Sequence, residues 1–271
     1  CNSGDTMVNW SMKKTYTCQD LMEIVRVLRH PGGCPWDQEQ THQSIRRNFL
    51  EEVYEAAEAI DNGDTDGLKE ELGDVLLQVF FHTSIEEDAG RFNLDDVADG
   101  VCRKLIYRHP HVFGEVNVRS TEEVLSNWEE LKRKEKHQDT QADAVDAVAR
   151  TLPALWRAEK MKKKAAKAGF EWRDVGGALD KLSEELDELK AAALNGEGDP
   201  AEELGDVLFS TVCAARFLDA DPEAALHAAC EKFSARFRKT EELAAERGLK
   251  LSGLSEEEQT ALWGEAKKRL Q

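Results

Sequence analysis

Apolar residues recur along the chain at spacings of three and four, and convincing period-2 runs are absent, so the sequence predicts an all-α protein. Leu21, Ile24, Val25 and Leu28 predict a first helix from Cys18, with Asp20 near its start and a break at His30-Pro31-Gly32-Gly33. Cys34-Pro35-Trp36-Asp37 then reads as a rigid loop. Thr41 is placed to cap a helix carrying Ile45, Phe49, Leu50, Val53 and Ala57. Another helix runs from about Thr65 to Glu86, with Leu72, Val75, Leu76, Val79 and Phe80 inward. Asn93 or Asp95 opens the next, with Val97, Val101, Leu105 and Ile106, and it ends near Arg108-His109-Pro110-His111. Ser120-Thr121-Glu122-Glu123 looks like a helix start leading to Leu125, Trp128 and Leu131.

After a charged stretch from Lys132 to Gln141, the organisation restarts. Leu155 to Gly169, the stretch around Leu182, Leu186 and Leu189, Ala201 to Leu218, Pro222 to about Arg247, and Ser255 to Leu270 are the expected helices. Trp172 lies 136 positions after Trp36, Glu185 lies 133 after Glu52, Asp206 lies 132 after Asp74, and Trp263 lies 135 after Trp128. One order with slow drift implies two homologous helical-bundle domains, 18–136 and 149–271, joined by a linker at 137–148. Residues 1–17 are polar and expected to be poorly ordered.

Both halves share one charged constellation. Glu51-Glu52-Val53-Tyr54-Glu55 is followed by Glu71-Leu72-Gly73-Asp74, and Glu184-Glu185-Leu186-Asp187-Glu188 by Glu203-Leu204-Gly205-Asp206. Residues three apart share a helix face, so each half offers two helices with two carboxylates apiece, separated by a turn around Asn62-Gly63 or Asn195-Gly196. Folded antiparallel, four acids meet and raise one another's pKa unless a hard cation is present, and all-oxygen ligation suits Mg²⁺ or Mn²⁺. A lone Glu-x-x-Glu is ordinarily a solvated face. Here apolar neighbours such as Leu72, Val75, Leu204 and Val207 surround the acids, and the arrangement recurs.

Composition narrows the partners. The chain has 271 residues and a formal net charge of −18, which disfavours nucleic acid. No apolar run approaches the roughly 18 residues of a membrane span, and the start Cys1-Asn2-Ser3-Gly4-Asp5 has no signal-peptide apolar region. A cytoplasmic setting is the expectation, with Met7 or Met12 as the natural first residue. Six cysteines without a Cys-x-x-Cys pair read as reduced thiols. An anionic substrate must therefore be met by bound cations or a local basic cluster. Each half supplies a Lys-x-x-x-Arg, Lys104 to Arg108 and Lys232 to Arg236, and Lys181 lies four before Glu185. With metals on the acids, these would clamp a polyphosphate from two sides. Asn48 holds the position matching Lys181 in the first half, so the halves are unequal. An EF-hand reading of Asn62–Gly67 fails because the required acid is Gly73, and His109-Pro110-His111 suits a helix stop better than a metal site.

Gly33-Cys34-Pro35-Trp36-Asp37, the doubled acid motifs, Arg108-His109-Pro110-His111-Val112-Phe113 and Gly169-Phe170-Glu171-Trp172 closely resemble the MazG family, the tandem-domain members of the all-α nucleoside triphosphate pyrophosphohydrolases. The resemblance covers roughly residues 18–270. It implies a homodimer that uses Mg²⁺ to cleave nucleoside triphosphates between the α- and β-phosphates. No base-reading side chain is identifiable in the sequence, which favours broad base selectivity and a house-cleaning role in nucleotide pools. Carried over, the resemblance makes Glu185, Glu188, Glu203 and Asp206 the metal ligands of a C-terminal site. Lys181, Lys232 and Arg236 would contact the triphosphate, and Trp263 would lie near the nucleotide. Glu52, Glu55, Glu71 and Asp74 match the metal motif in the first half, where some members bind metal without turnover. Glu184 or Glu202 would orient the attacking water. Asp199 stands where some members place a basic residue. Two rival readings are a metal-loaded dimeric scaffold regulating a partner and a narrow dUTPase-like enzyme.

Overall fold

The computed structural model describes residues 10–136 and 138–270. The Met7 start, the remainder of segment 1–9, His137 of the expected linker and the terminal Gln271 lie outside the described residues. Among the described residues there is no strand. The chain divides into two compact units between Trp128 and Glu129.

The first unit contains α1 (Cys18–Arg29), α2 (Pro35–Glu39), α3 (His42–Asp61), α4 (Thr65–Asp88), α5 (Leu94–Arg108), α6 (Pro110–Phe113) and the start of α7 (Thr121–Glu135). Local chemistry sets the starts. Thr17 caps α1 through a capping box with Asp20, Thr41 caps α3 with Ser44, and Asn93 caps α5 with Asp96. Asp64 accepts from the Gly67 N–H at the start of α4. Gly63 leaves α3 with φ +65°, a conformation that a Cβ would strain. α3 and α4 pack as a hairpin against α1, and Met22, Val25, Ile45, Phe80 and Phe81 form the core. Arg26 reinforces the α1–α4 contact with a two-pronged ion pair to Glu87 at 2.8 Å.

The second unit contains α8 (Gln141–Asp146), α9 (Ala154–Ala166), α10 (Val175–Asn195), α11 (Pro200–Phe217), α12 (Pro222–Glu246), a single 3₁₀ turn (Leu251–Gly253) and α13 (Glu256–Arg269). α10 and α11 form the matching hairpin, with α9 against α11 and α13 against α12. Leu243, Ala244, Leu262 and Ala266 close the α12–α13 core. Asp199 caps α11 by accepting from the Ala201 N–H, with Pro200 as the first helical residue. Its side chain thus serves the helix start rather than the substrate.

Three boundaries differ from the sequence reading. Cys34-Pro35-Trp36-Asp37 is not a bare loop, because Pro35 begins a short helix for which its fixed φ is already suitable. The 137–148 stretch includes α8, capped by Thr140 and anchored by buried Ala144, and the division of the chain into units falls between Trp128 and Glu129. Pro110 does not only stop α5; it opens α6.

Candidate active site

Each hairpin brings its acids together. In the first unit Glu52, Glu55 and Glu71 each offer an oxygen within 4.8 Å of the others. Asp74 stands just outside this trio. Burial, followed by the charge of Asp74, holds the Glu52 carboxyl above the usual range. Burial and then Glu55 do the same to Glu71. No basic side chain is paired with these four among the described residues.

In the second unit the trio is Glu185, Glu203 and Asp206, again within 4.8 Å. Glu185 is 7% exposed, the most buried acid of either cluster. Glu188 lies outside the trio. Hydrogen bonding to Glu185, then burial, raises its carboxyl above the usual range. Lys181 changes the electrostatics here. Its Nζ lies 2.7 Å from Glu184 and 3.0 Å from Glu185, and the first of these bonds is the main cause that keeps its ammonium charged well above the ordinary lysine value. Glu184 is therefore already engaged by a cation. Glu202 is exposed in the first turn of α11.

The donor sets fit a hard divalent cation: all are carboxylate oxygens converging from two helices, and in the first unit burial and then the neighbouring acids raise Glu52 and Glu71, a cost that a bound cation would relieve.

The other expected contacts are placed differently. Lys232 and Arg236 sit on α12, which packs on α9 and α13, and neither pairs with the acids. Trp263 packs against Phe233 with ring centroids 5.3 Å apart. In the first unit, the matching Arg108 is 6% exposed with its guanidinium 5.2 Å from the Trp128 ring. Arg108 is thus buried beside Trp128, whereas its companion Lys104 is exposed. A long cation can satisfy itself on an aromatic face as readily as on phosphate.

Sequence reasoning passed over one polar cluster. His42 Nδ1 and His82 Nδ1 are 2.7 Å apart with stacked rings, and His42 Nε2 is 2.5 Å from Glu86. Arg91 binds the same carboxylate, and this pair, with His42, lowers the Glu86 pKa from 4.5 to about 2. Burial and His42 lower that of His82. The cluster borders a cavity of about 500 Å³ that also meets Phe49, Phe92 and Val97. His42, His82 and Arg91 come from three separate segments, so only their spacing in the fold reveals them.

Comparison with known proteins finds the same duplication. The MazG nucleotide pyrophosphohydrolase domain matches the chain twice, at residues 40–113 and 177–240. The chain is 43% identical over 253 residues to a nucleoside triphosphate pyrophosphohydrolase of Escherichia coli strain K12, spanning 92% of this chain and 96% of that protein. It is 43% identical over 252 residues to the nucleoside triphosphate pyrophosphohydrolase/pyrophosphatase MazG of Thermotoga maritima, spanning 92% and 95%. It also matches an uncharacterized Bacillus subtilis protein, YabN, at 48% identity, with 90% of this chain on 50% of that one. Two acid hairpins, two domain matches and near-complete alignment with the Escherichia coli and Thermotoga maritima proteins together mean that the chain belongs to the MazG family.

Proposed function

We propose that the protein is a nucleoside triphosphate pyrophosphohydrolase, releasing a nucleoside monophosphate and pyrophosphate, with broad base selectivity and the second unit as its principal catalytic site. The names of its relatives support the reaction class. The observation that carries the choice of site is Lys181, seated at 3.0 Å from Glu185 beside the acid trio.

Glu185, Glu203 and Asp206, with Glu188 alongside, would hold Mg²⁺ or Mn²⁺. When bound, the cation would screen phosphate charge and supply Lewis acidity. The residues do the rest. Lys181 holds a fixed positive charge at the edge of the cluster, ready to exchange Glu184 for a phosphate oxygen. That exchange frees the Glu184 carboxylate to accept a proton from an attacking water, and Glu202 is the alternative acceptor. Lys232 and Arg236 are four apart on one face of α12 and would meet the triphosphate tail. In the first unit Asn48 leaves the quartet without such a cation, which supports metal binding there with little turnover.

We also propose a homodimer. Leu72 and Val53 in the first hairpin, and Leu186, Leu204 and Leu208 in the second, are exposed apolar side chains on otherwise charged helices. A second copy would bury them. Light scattering at micromolar concentration tests this, and a monomer mass counts against it.

The activity test is a panel of ribo- and deoxynucleoside triphosphates with Mg²⁺, separating pyrophosphate from orthophosphate. Pyrophosphate from several bases is the expected result. Turnover of dUTP alone would favour a narrow enzyme, and no turnover would favour a scaffold.

A further inference from the structure

The turn before α9, the first half of α9 and Phe209 of α11 enclose a cavity of about 330 Å³. Leu152, Ala158, Met161 and Phe209 give it an apolar lining, and its charged groups are Arg150 and Arg157. Arg157 is half-buried, and its Nε is sealed from solvent with no hydrogen-bond partner. Among the described residues neither guanidinium has an ion pair or a side-chain hydrogen bond. Acids are plentiful in this chain, 54 against 36 lysines and arginines. Other partly buried arginines have found them: Arg26 pairs with Glu87 and Arg216 with Glu171. A buried guanidinium N–H without an acceptor is costly, so the Arg157 Nε beside this cavity marks a place where the acceptor comes from outside, with the exposed Arg150 next to it.

The surroundings select the charge of that acceptor. α9 reads Ala-Leu-Trp-Arg-Ala-Glu-Lys-Met-Lys-Lys-Lys-Ala-Ala, with five cations and one acid. Lys160 and Lys164 follow Arg157 by three and seven positions, on the same face. α9 is thus a positive helix on a strongly negative protein, with Asp221 at the start of α12 accepting from its Trp156. Planar guanidinium groups grip phosphate oxygens in pairs, and the space exceeds what a single phosphate fills. We infer that Arg150 and Arg157 form a binding site for an oligophosphate anion of pyrophosphate size that needs no divalent metal. The site is separate from the carboxylate cluster, although Phe209 stands one turn of α11 beyond Asp206. The occupant is either free pyrophosphate or the tail of a nucleotide.

The test is calorimetric titration of the full chain with inorganic pyrophosphate in excess EDTA, so that the carboxylates have no metal through which to recruit it. Saturable binding is expected. Arg157→Gln and Arg150→Gln should each weaken it by about tenfold or more, while Lys181→Ala leaves it unchanged. A parallel titration with a nucleoside diphosphate separates the two occupants: tighter arginine-dependent binding assigns the nucleotide tail, and weaker binding assigns free pyrophosphate. No saturable heat, equal binding by sulfate at matched ionic strength, undiminished binding in the arginine variants, or loss in Lys181→Ala overturns the inference. Should Arg157→Gln fail to fold, phenylglyoxal modification of Arg150 and Arg157 in the unaltered protein gives the answer. Pyrophosphate slows it if the site exists and leaves it unchanged if not.

Discussion

The α3–α4 hairpin of the first unit and the α10–α11 hairpin of the second carry the same acidic spacing but handle its charge differently. The first pairs its acids with no cation among the described residues, and burial, then the neighbouring acids, raise the Glu52 and Glu71 carboxyls above the usual range. The second places Lys181 against Glu185, so part of the repulsion is answered by the protein itself. The same divergence appears at the matched arginines. Arg108 is buried on Trp128, while Arg236 is half-exposed and Trp263 has Phe233 for a neighbour. Arg108 is turned inward in the first unit, while Lys104 there and Lys232 in the second are exposed. Similar side chains at matched positions therefore teach less than what each of them is paired with.

The strongest way to break this comparison is to remove the acids pairwise. Glu185→Ala/Glu188→Ala is expected to lower pyrophosphate release under saturating Mg²⁺ by about a hundredfold or more, the loss of several charge-assisted contacts in the transition state. Glu52→Ala/Glu55→Ala is expected to keep most of the turnover. The reverse result would exchange the roles of the units, and a loss of about half in each would make them equal.

Lys181→Ala comes next. Loss of one charge-assisted phosphate contact, worth roughly 1.5–3 kcal/mol, should slow turnover by about ten- to a hundredfold with the fold intact. Placing a lysine at the matched position, Asn48→Lys, sharpens the point. It should raise the residual turnover measured in the Glu185→Ala/Glu188→Ala background, and no gain would mean that the missing cation is not what limits the first unit.

The matched arginines should separate by observable. Arg108→Ala is expected to cost about 1–3 kcal/mol in urea unfolding through lost packing on Trp128. Arg236→Ala should leave stability within about 0.5 kcal/mol and reduce turnover. Equal effects of both on stability would dissolve the distinction.

The smallest effect concerns acid. Glu86, lowered to about 2 by Arg91 and His42, contributes stability that is full above its ordinary value of 4.5 and is lost as the pH falls toward about 2. The second unit has Leu218 at the corresponding place. Glu86→Gln should therefore flatten the stability profile over that window for the first unit alone, as read by acid titration of hydrogen exchange.

Much of this was legible in the chain because its signals are local. Thr41, Asn93 and Ser255 start helices with side chains three residues from the N–H groups they satisfy, and the Glu-x-x-Glu and Glu-x-x-Asp spacings put paired acids on one face. Asp199 shows the limit: as a letter it was a missing cation, and in space it is a helix cap.

The sequence by itself determined the helical class, the duplicated acid hairpins, the inequality at Asn48 and Lys181, and the family. All of these depend on period and spacing within short stretches. Only the tertiary structure decided that Arg108 lies on Trp128, that His42, His82, Glu86 and Arg91 form one network, and that Arg150 and Arg157 face a cavity without an acceptor. The reason is physical. A charged or polar side chain costs free energy until it finds a partner, and its partner is chosen by which helices pack together rather than by which residues adjoin it in the chain.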